Sequence, residues 1–130
     1  MKNIHQKASV LLNVAALIPK IGSGRIVASI FLKSRLVSMG FCSKSSLLLQ
    51  RKFGNVHQLY NHAEIHAIHN AMKTSTPLNR AEMLIVRAKF IDGKLVYGLA
   101  KPCQSCQSAI DVFEIKRVYF STNDQEICSL

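Results

Sequence analysis

Tryptophan is absent, and aromatic residues make up only 7% of the chain. Proteins that grip single-stranded nucleic acid stack its bases on aromatic rings, so an extended strand-binding platform is not expected. Acidic residues are missing from the first half: no Asp or Glu precedes Glu64, whereas nine Lys and Arg do. That half offers nothing to a basic partner and favours an anionic one: a nucleotide phosphate, a nucleic-acid strand or a membrane surface. Solvated lysines on a generally basic chain are the plainer alternative. Cysteines number four, and two of them fall in one C-x-x-C. This excludes the dense disulfide framework of a small secreted domain, so free thiols in a reducing, cytoplasmic setting are expected. The apolar stretch from Ala8 to Ile18 is too short to span a bilayer. Asn13 interrupts it and Pro19-Lys20 closes it without a small-x-small cleavage site, which argues against a signal peptide.

What is present suffices for a core. The 130 residues carry a formal net charge of +10, and 48% of them are apolar. One domain over 1–130 is expected. Val10, Val14, Leu17 and Ile18 recur at helical spacing, which predicts an amphipathic first helix with that face against a sheet. Gly22-Ser23-Gly24 reads as a turn. Strands are expected over Ile26 to Leu32 and Leu36 to Phe41, with Lys33-Ser34-Arg35 as the hairpin connection. A long loop then begins at Ser43-Lys44-Ser45-Ser46 and ends near Asn61, a length that marks a functional or partly helical segment.

Asn61 is the expected N-cap of a helix that carries His62, Glu64, Ile65, Ile68 and Met72. His66 and His69 lie beyond its first turn and are read as surface or packing residues. Pro77 breaks that helix. Met83 to Phe90 reads as a strand, and Asp92-Gly93 is a strong signal for a hairpin into Leu95 to Leu99. Pro102 opens another helix, which continues through Ala109, Ile110 and Phe113. A strand at Val118 to Ser121 and a short tail follow. Helices alternating with strands in this order make an α/β layered sheet.

Two short stretches carry chemistry: His62-Ala63-Glu64 and Pro102-Cys103-Gln104-Ser105-Cys106. One imidazole and two thiolates give three ligands for Zn2+, which takes four, so one position stays open to water as in catalytic sites. Cys103 and Cys106, three residues apart, share one face of a helical first turn. Helix N-termini lower thiol pKa and favour the thiolates zinc needs. Glu64 sits beside a ligand without having to be one, where a carboxylate can take and deliver protons. Asn61-x-x-Glu64 is also close to a capping box, the structural alternative for Glu64.

The pairing of H-x-E with P-C-x-x-C is the signature of zinc-dependent nucleobase deaminases. On those residues the chain resembles the cytidine and deoxycytidylate deaminase superfamily, from about Arg25 to Ser121. The resemblance implies a three-layer α/β/α sandwich around a mixed central sheet. It implies zinc on His62, Cys103 and Cys106, with Glu64 as the catalytic proton carrier. It implies hydrolytic deamination of a cytosine nucleotide or nucleoside, with backbone at Ala63 and around Lys101-Pro102 against the base edge. Gly40-Phe41-Cys42 resembles the end of the family's second strand, where many relatives carry Gly-x-Asn and the Asn contacts substrate. Cys42 stands at that position without an amide, and a buried core cysteine is its other reading. His66 stands where deoxycytidylate deaminases often show Asn, and no Trp precedes Pro102-Cys103, so no single subfamily is matched. Few residues follow Ser121, so the family's last helix and strand are expected to be short or missing.

Lys44, Arg51 and Lys52, in the loop entering the His62 helix, are the expected phosphate contacts. The expected partners are a small nucleotide or nucleoside and further copies of the chain, without a membrane. Two alternatives stay open. One is a cytidine or adenosine deaminase acting on single-stranded DNA or RNA; the other is a non-catalytic zinc-binding protein of the same fold.

Overall fold

The computed structural model describes residues 1–21, 24–44, 48–53 and 61–130. Gly22 and Ser23 of the expected turn, and Ser45 and Ser46 with most of the loop towards Asn61, lie outside the described residues.

Helix α1 spans Ile4–Leu17 and leads into strands β1 (Arg25–Leu32) and β2 (Arg35–Phe41). A short helix α2 (Leu48–Lys52) precedes α3 (Ala63–Lys73), and strands β3 (Glu82–Ile91) and β4 (Lys94–Gly98) follow. Helix α4 (Gln104–Val112), β5 (Arg117–Ser121) and β6 (Ile127–Ser129) complete the order. Among the described residues six strands form one mixed sheet in the order β2-β1-β3-β5-β6, with β4 paired to β3 off that path. Only the β3–β5 pairing is parallel, and α4 supplies its crossover.

Strand periodicity sorts the core into two layers. Met83 and Ile85 of β3 face α3 and α4, with Ala28, Ile30, Val118 and Phe120. Leu84, Val86 and Ala88 face the other way, towards α1, with Val27 and Phe31. A sheet covered on both faces reads as near-continuous apolar sequence, which is why Met83-Leu84-Ile85-Val86 shows no polar alternation. The result is the expected three-layer arrangement of helices around a mixed sheet.

The hairpin at Lys33-Ser34 lacks the Asn-Gly signal, yet both residues adopt left-handed φ (51° and 64°). Two consecutive positive φ values match the right-handed twist of the flanking strands. Asp92 and Gly93 do the same at the β3–β4 turn (φ 51° and 78°). The segment after β5 returns as the short antiparallel strand β6, where the sequence suggested only a tail.

The first helix forms as expected but turns a different face to the sheet. Ala8, Leu11 and Ala15 are buried, whereas Val10 and Leu17 are 59% and 86% exposed. Val14 and Ile18 pack at the margin. Alanines let a helix backbone approach a sheet closely, so small side chains mark the contact line here and larger ones flank it. Among the described residues no helix is long and apolar enough to cross a membrane.

Candidate metal centre and catalytic pocket

Helix α3 is fixed to strand β2 before it presents any functional group. Asn70 Nδ2 donates to the Met39 carbonyl (2.8 Å), Ser38 Oγ donates to the Ala67 carbonyl (2.9 Å), and the Phe41 N–H donates to His66 Nδ1 (3.1 Å). Gly40 lies at the centre of these links. A Cβ there would sit 2.2 Å from the Ala67 nitrogen and 2.3 Å from the Ala63 carbonyl oxygen, so only a glycine lets strand and helix touch. His66 is therefore a packing histidine, as its place in the sequence suggested. Burial lowers its pKa, which keeps Nδ1 available as an acceptor.

The start of α3 is one residue later than the sequence suggested. His62, in extended conformation (φ −82°, ψ 149°), is the N-cap, and Asn61 is buried outside the helix. Asn61 pairs instead with Ser43 through two backbone hydrogen bonds (2.8 and 3.3 Å), which pin both ends of the intervening segment together. The capping-box alternative for Glu64 falls with that register. His62's own N–H donates to Oε1 of the buried Gln50 on α2 (3.0 Å). Helix α4 has the same form: Cys103 is its N-cap and Cys106 lies in its first turn, so Pro102 precedes the helix rather than opening it.

These two helix starts bring the three expected ligands together. His62 Nδ1 lies 3.5 Å from Cys103 Sγ and 3.3 Å from Cys106 Sγ. All three donor atoms fall within 4.8 Å of one another. Zinc bonds of about 2.3 Å to sulfur and 2.0–2.1 Å to nitrogen give a tetrahedral edge of about 3.5 Å, so the donor set fits zinc. The His and two Cys are positioned to bind a metal ion. None of the four cysteines is in a disulfide.

The three groups share protons unevenly. Hydrogen bonds from Cys106 first, and then from His62, bring the Cys103 thiol down to about 3. Cys106 is more buried, and its bond to Cys103, followed by desolvation, pushes its pKa far up. The His62 pKa rises, chiefly through its hydrogen bond to Cys103.

Glu64 is only 6% exposed. Burial raises its pKa, partly offset by its own backbone N–H and by His62. It nevertheless reaches the wall of a cavity of about 260 Å³, which it shares with His62, Cys103, Cys42 and Lys101. Cys42 thus lies at the cavity wall as well as against the core. Its thiol accepts from the Ala63 backbone, and burial raises its pKa. Ala63 is fully buried, and neither it nor Pro102 lines the cavity among the described residues.

Ile21, Ile26, Leu99, Ala100 and Arg87 line the cavity too, and the sequence did not single them out. Arg87 had a signal: it is the first charge after the apolar run Met83-Leu84-Ile85-Val86. It stands where β3 changes partner, from β5 (through Ile85) to β4 (from Arg87). The Arg87 N–H donates to Ser121 Oγ (3.1 Å), and that hydroxyl donates to the Gly98 carbonyl (2.7 Å). Ser121 thus ties the two partner strands together where they diverge, and the cavity is walled by Arg87 and by Leu99, Ala100 and Lys101, which follow β4. Lys44, Arg51 and Lys52 are exposed and are not among the described residues lining the cavity, whose cations are Arg87 and Lys101.

Residues 4–122 match the family described as the cytidine and deoxycytidylate deaminase zinc-binding region. No curated protein matches the sequence. Among solved structures, the dCMP deaminase of cyanophage S-TIM5 is similar with TM-score 0.65 at 15% identity, covering 94% of this chain and 85% of that one. A tRNA:A34 deaminase, described for A-to-I editing at the wobble position of transfer RNA, gives TM-score 0.53 at 21% identity, over 92% and 74% of the two chains. A diaminohydroxyphosphoribosylaminopyrimidine deaminase/5-amino-6-(5-phosphoribosylamino)uracil reductase of Thermotoga maritima gives 0.57 at 19% identity, over 92% of this chain and 29% of that one. At such identities the three likenesses establish the fold.

Proposed function

Because the chain belongs to the cytidine and deoxycytidylate deaminase zinc-binding family, we propose that it hydrolytically deaminates a cytosine-containing nucleotide or nucleoside to the uracil form, releasing ammonia. The observation that carries the reading is a buried carboxylate, Glu64, at the wall of the same cavity as His62 and Cys103. His62, Cys103 and Cys106 hold the metal. Zinc bound there supplies a Lewis acid that makes water a nucleophile near neutral pH.

Glu64 moves the protons. It takes one as water attacks and delivers it to ring N3 of cytosine, which leaves C4 electrophilic. Addition of the oxygen to C4 gives a tetrahedral carbon. Glu64 then takes the remaining proton from that oxygen and places it on the 4-amino group; the C–N bond breaks as the C4=O bond forms, and ammonia departs. One water is consumed and no redox partner is needed. A positioned acid–base group of this kind contributes about 10²–10⁴-fold to rate. Burial of Glu64 excludes competing water, and Lys101, Leu99 and Ala100 supply the wall against which the base would lie.

Cys42 at the cavity wall takes part in this reading as a substrate contact. A thiol donates only weakly, so base recognition falls on backbone groups at the cavity wall around Ala100 and Lys101. Assembly of copies of the chain and a cytoplasmic setting belong to the same proposal; sedimentation of the zinc-loaded protein tests the first. The function itself is tested by measuring ammonia release from cytosine nucleosides, mono- and triphosphates, and short single strands, alongside their adenine and guanine counterparts. Turnover of a cytosine mononucleotide or nucleoside supports the reading. Turnover confined to a purine, or to single strands, overturns it.

A further inference from the structure

Arg87 belongs to two cavities. It lines the catalytic one and also a neighbouring one of about 360 Å³, where Lys20, Arg25 and Lys89 join it. No carboxylate is found among the described residues that line this second space. Four cations around one cavity repel each other, so an anionic ligand would be drawn there.

Arg25, Arg87 and Lys89 are held in place by their neighbours. Gly24 and Gly98 flank Arg87, and neither has a positive φ that would call for glycine. What matters is the missing Cβ. At Gly24 it would lie 2.7 Å from Arg87 Nε, and at Gly98 3.0 Å from Arg87 Cδ and 3.0 Å from Lys89 Cγ. Two glycines thus make the slot for one guanidinium and the stem of one lysine. Arg25 Nε donates to the Ile18 carbonyl (3.1 Å), and its guanidinium lies over the Phe90 ring (5.8 Å). Lys89 Nζ donates to Asn123 Oδ1 (3.1 Å). These partners are neutral, so they orient Arg25 and Lys89 without cancelling their charge.

We propose that this second cavity receives the phosphate of the substrate, so that the protein acts on nucleotides in preference to free nucleosides. The proposal rests on the reading of the adjoining cavity as the base site. A base beside Glu64 would place its sugar near Arg87 and its phosphate beyond. A phosphate monoester carries about −1.5 to −2 charges near neutral pH, and a guanidinium can bind its oxygens in pairs. Lys20 and Lys89 act as further point charges. The charge surplus over one monophosphate accommodates a longer phosphate chain or the next phosphate of a strand.

The test uses binding rather than turnover. The zinc-loaded protein is titrated calorimetrically with uridine, its mono- and triphosphate, a short oligouridylate and inorganic pyrophosphate, and the deoxy counterparts. The phosphorylated ligands are expected to bind at least tenfold more tightly than the nucleoside. Lys20→Ala combined with Lys89→Ala should remove most of that advantage, and so should Gly24→Ala, which displaces the guanidinium. Lys116→Ala, an exposed cation elsewhere, should retain it. An oligonucleotide advantage over the monophosphate that vanishes in the double variant supports the site with a strand as the phosphate source. Equal binding of nucleoside and nucleotides, or an advantage that survives both variants, overturns the proposal even if nucleosides are deaminated. Conversely, pyrophosphate binding lost in the double variant sustains the site even if no cytosine compound releases ammonia.

Discussion

Cys103 and Cys106 have the same side chain three residues apart, yet one is exposed and the other fully buried. That asymmetry sets their chemistry. Treatment with a chelator is expected to make Cys103 the first thiol alkylated, followed only slowly by Cys106, and added zinc should suppress labelling of both; peptide mapping reads the order. Labelling at Cys103 that zinc leaves unchanged would count against ligation. His62→Ala and Cys103→Ala should lose both the metal and much of the thermal stability, since zinc binding to a preformed site is coupled to folding. Glu64→Gln should keep both, because the carboxylate is not needed to complete the three-donor set. Elemental analysis and a thermal melt separate the two classes of variant: equal zinc loss in Glu64→Gln would make Glu64 a ligand.

Among the elements, the contact between β2 and α3 has the least tolerance. Gly40→Ala would drive a Cβ into the backbone at Ala63 and Ala67, and backbone cannot move aside as a flexible side chain can. Overpacking of a rigid contact costs about 1–3 kcal/mol and occasionally more; here roughly 3 kcal/mol or more is expected, read as a drop in the denaturation midpoint. The same push displaces His62 and Glu64, so zinc affinity should fall with stability. Unchanged stability in Gly40→Ala would mean the helix is not seated as described. Strands β1 to β5 and the β3–β4 turn were legible from the sequence because buried strands are apolar and Asp92-Gly93 favours positive φ, whereas β6, three residues long and half exposed, was read as a tail. The metal-binding residues were legible because zinc fixes donor types and helical spacing fixes their common face. The orientation of α1 was not, because Ala8 and Ala15 carry little hydrophobic signal although they permit the closest approach. The start of α3 was misplaced because Asn61 is a good cap by type, but its backbone is engaged with Ser43. Arg87 was passed over because Lys89 carries the same charge two residues on, and which of the two reaches the catalytic cavity depends on the packing around β3.

Across the whole molecule a net charge of +10 acts on any polyanion. Among the described residues the ion pair between the N-terminus and Glu82 (3.5 Å) involves no side-chain cation, so the basic surface stays broadly positive. Non-specific binding to single strands is therefore expected at low salt, weakening with a slope of about 0.7 per phosphate neutralised. Nucleotide binding at the catalytic cavity should depend less steeply on salt, since few phosphates are involved. Titrations at several salt concentrations measure both slopes; a steep slope for the mononucleotide would show that general attraction, and not a formed site, governs its binding.

The central claim joins a metal, a buried carboxylate and a reaction, and its most direct test is ammonia release from a cytosine nucleotide by zinc-loaded wild-type protein and by zinc-loaded Glu64→Gln in parallel. The account predicts steady conversion to the uracil nucleotide by the first and a rate lower by about 10²-fold or more for the second, at equal zinc content. Equal rates for the two proteins, or no conversion by a wild-type sample that carries its zinc, would contradict it.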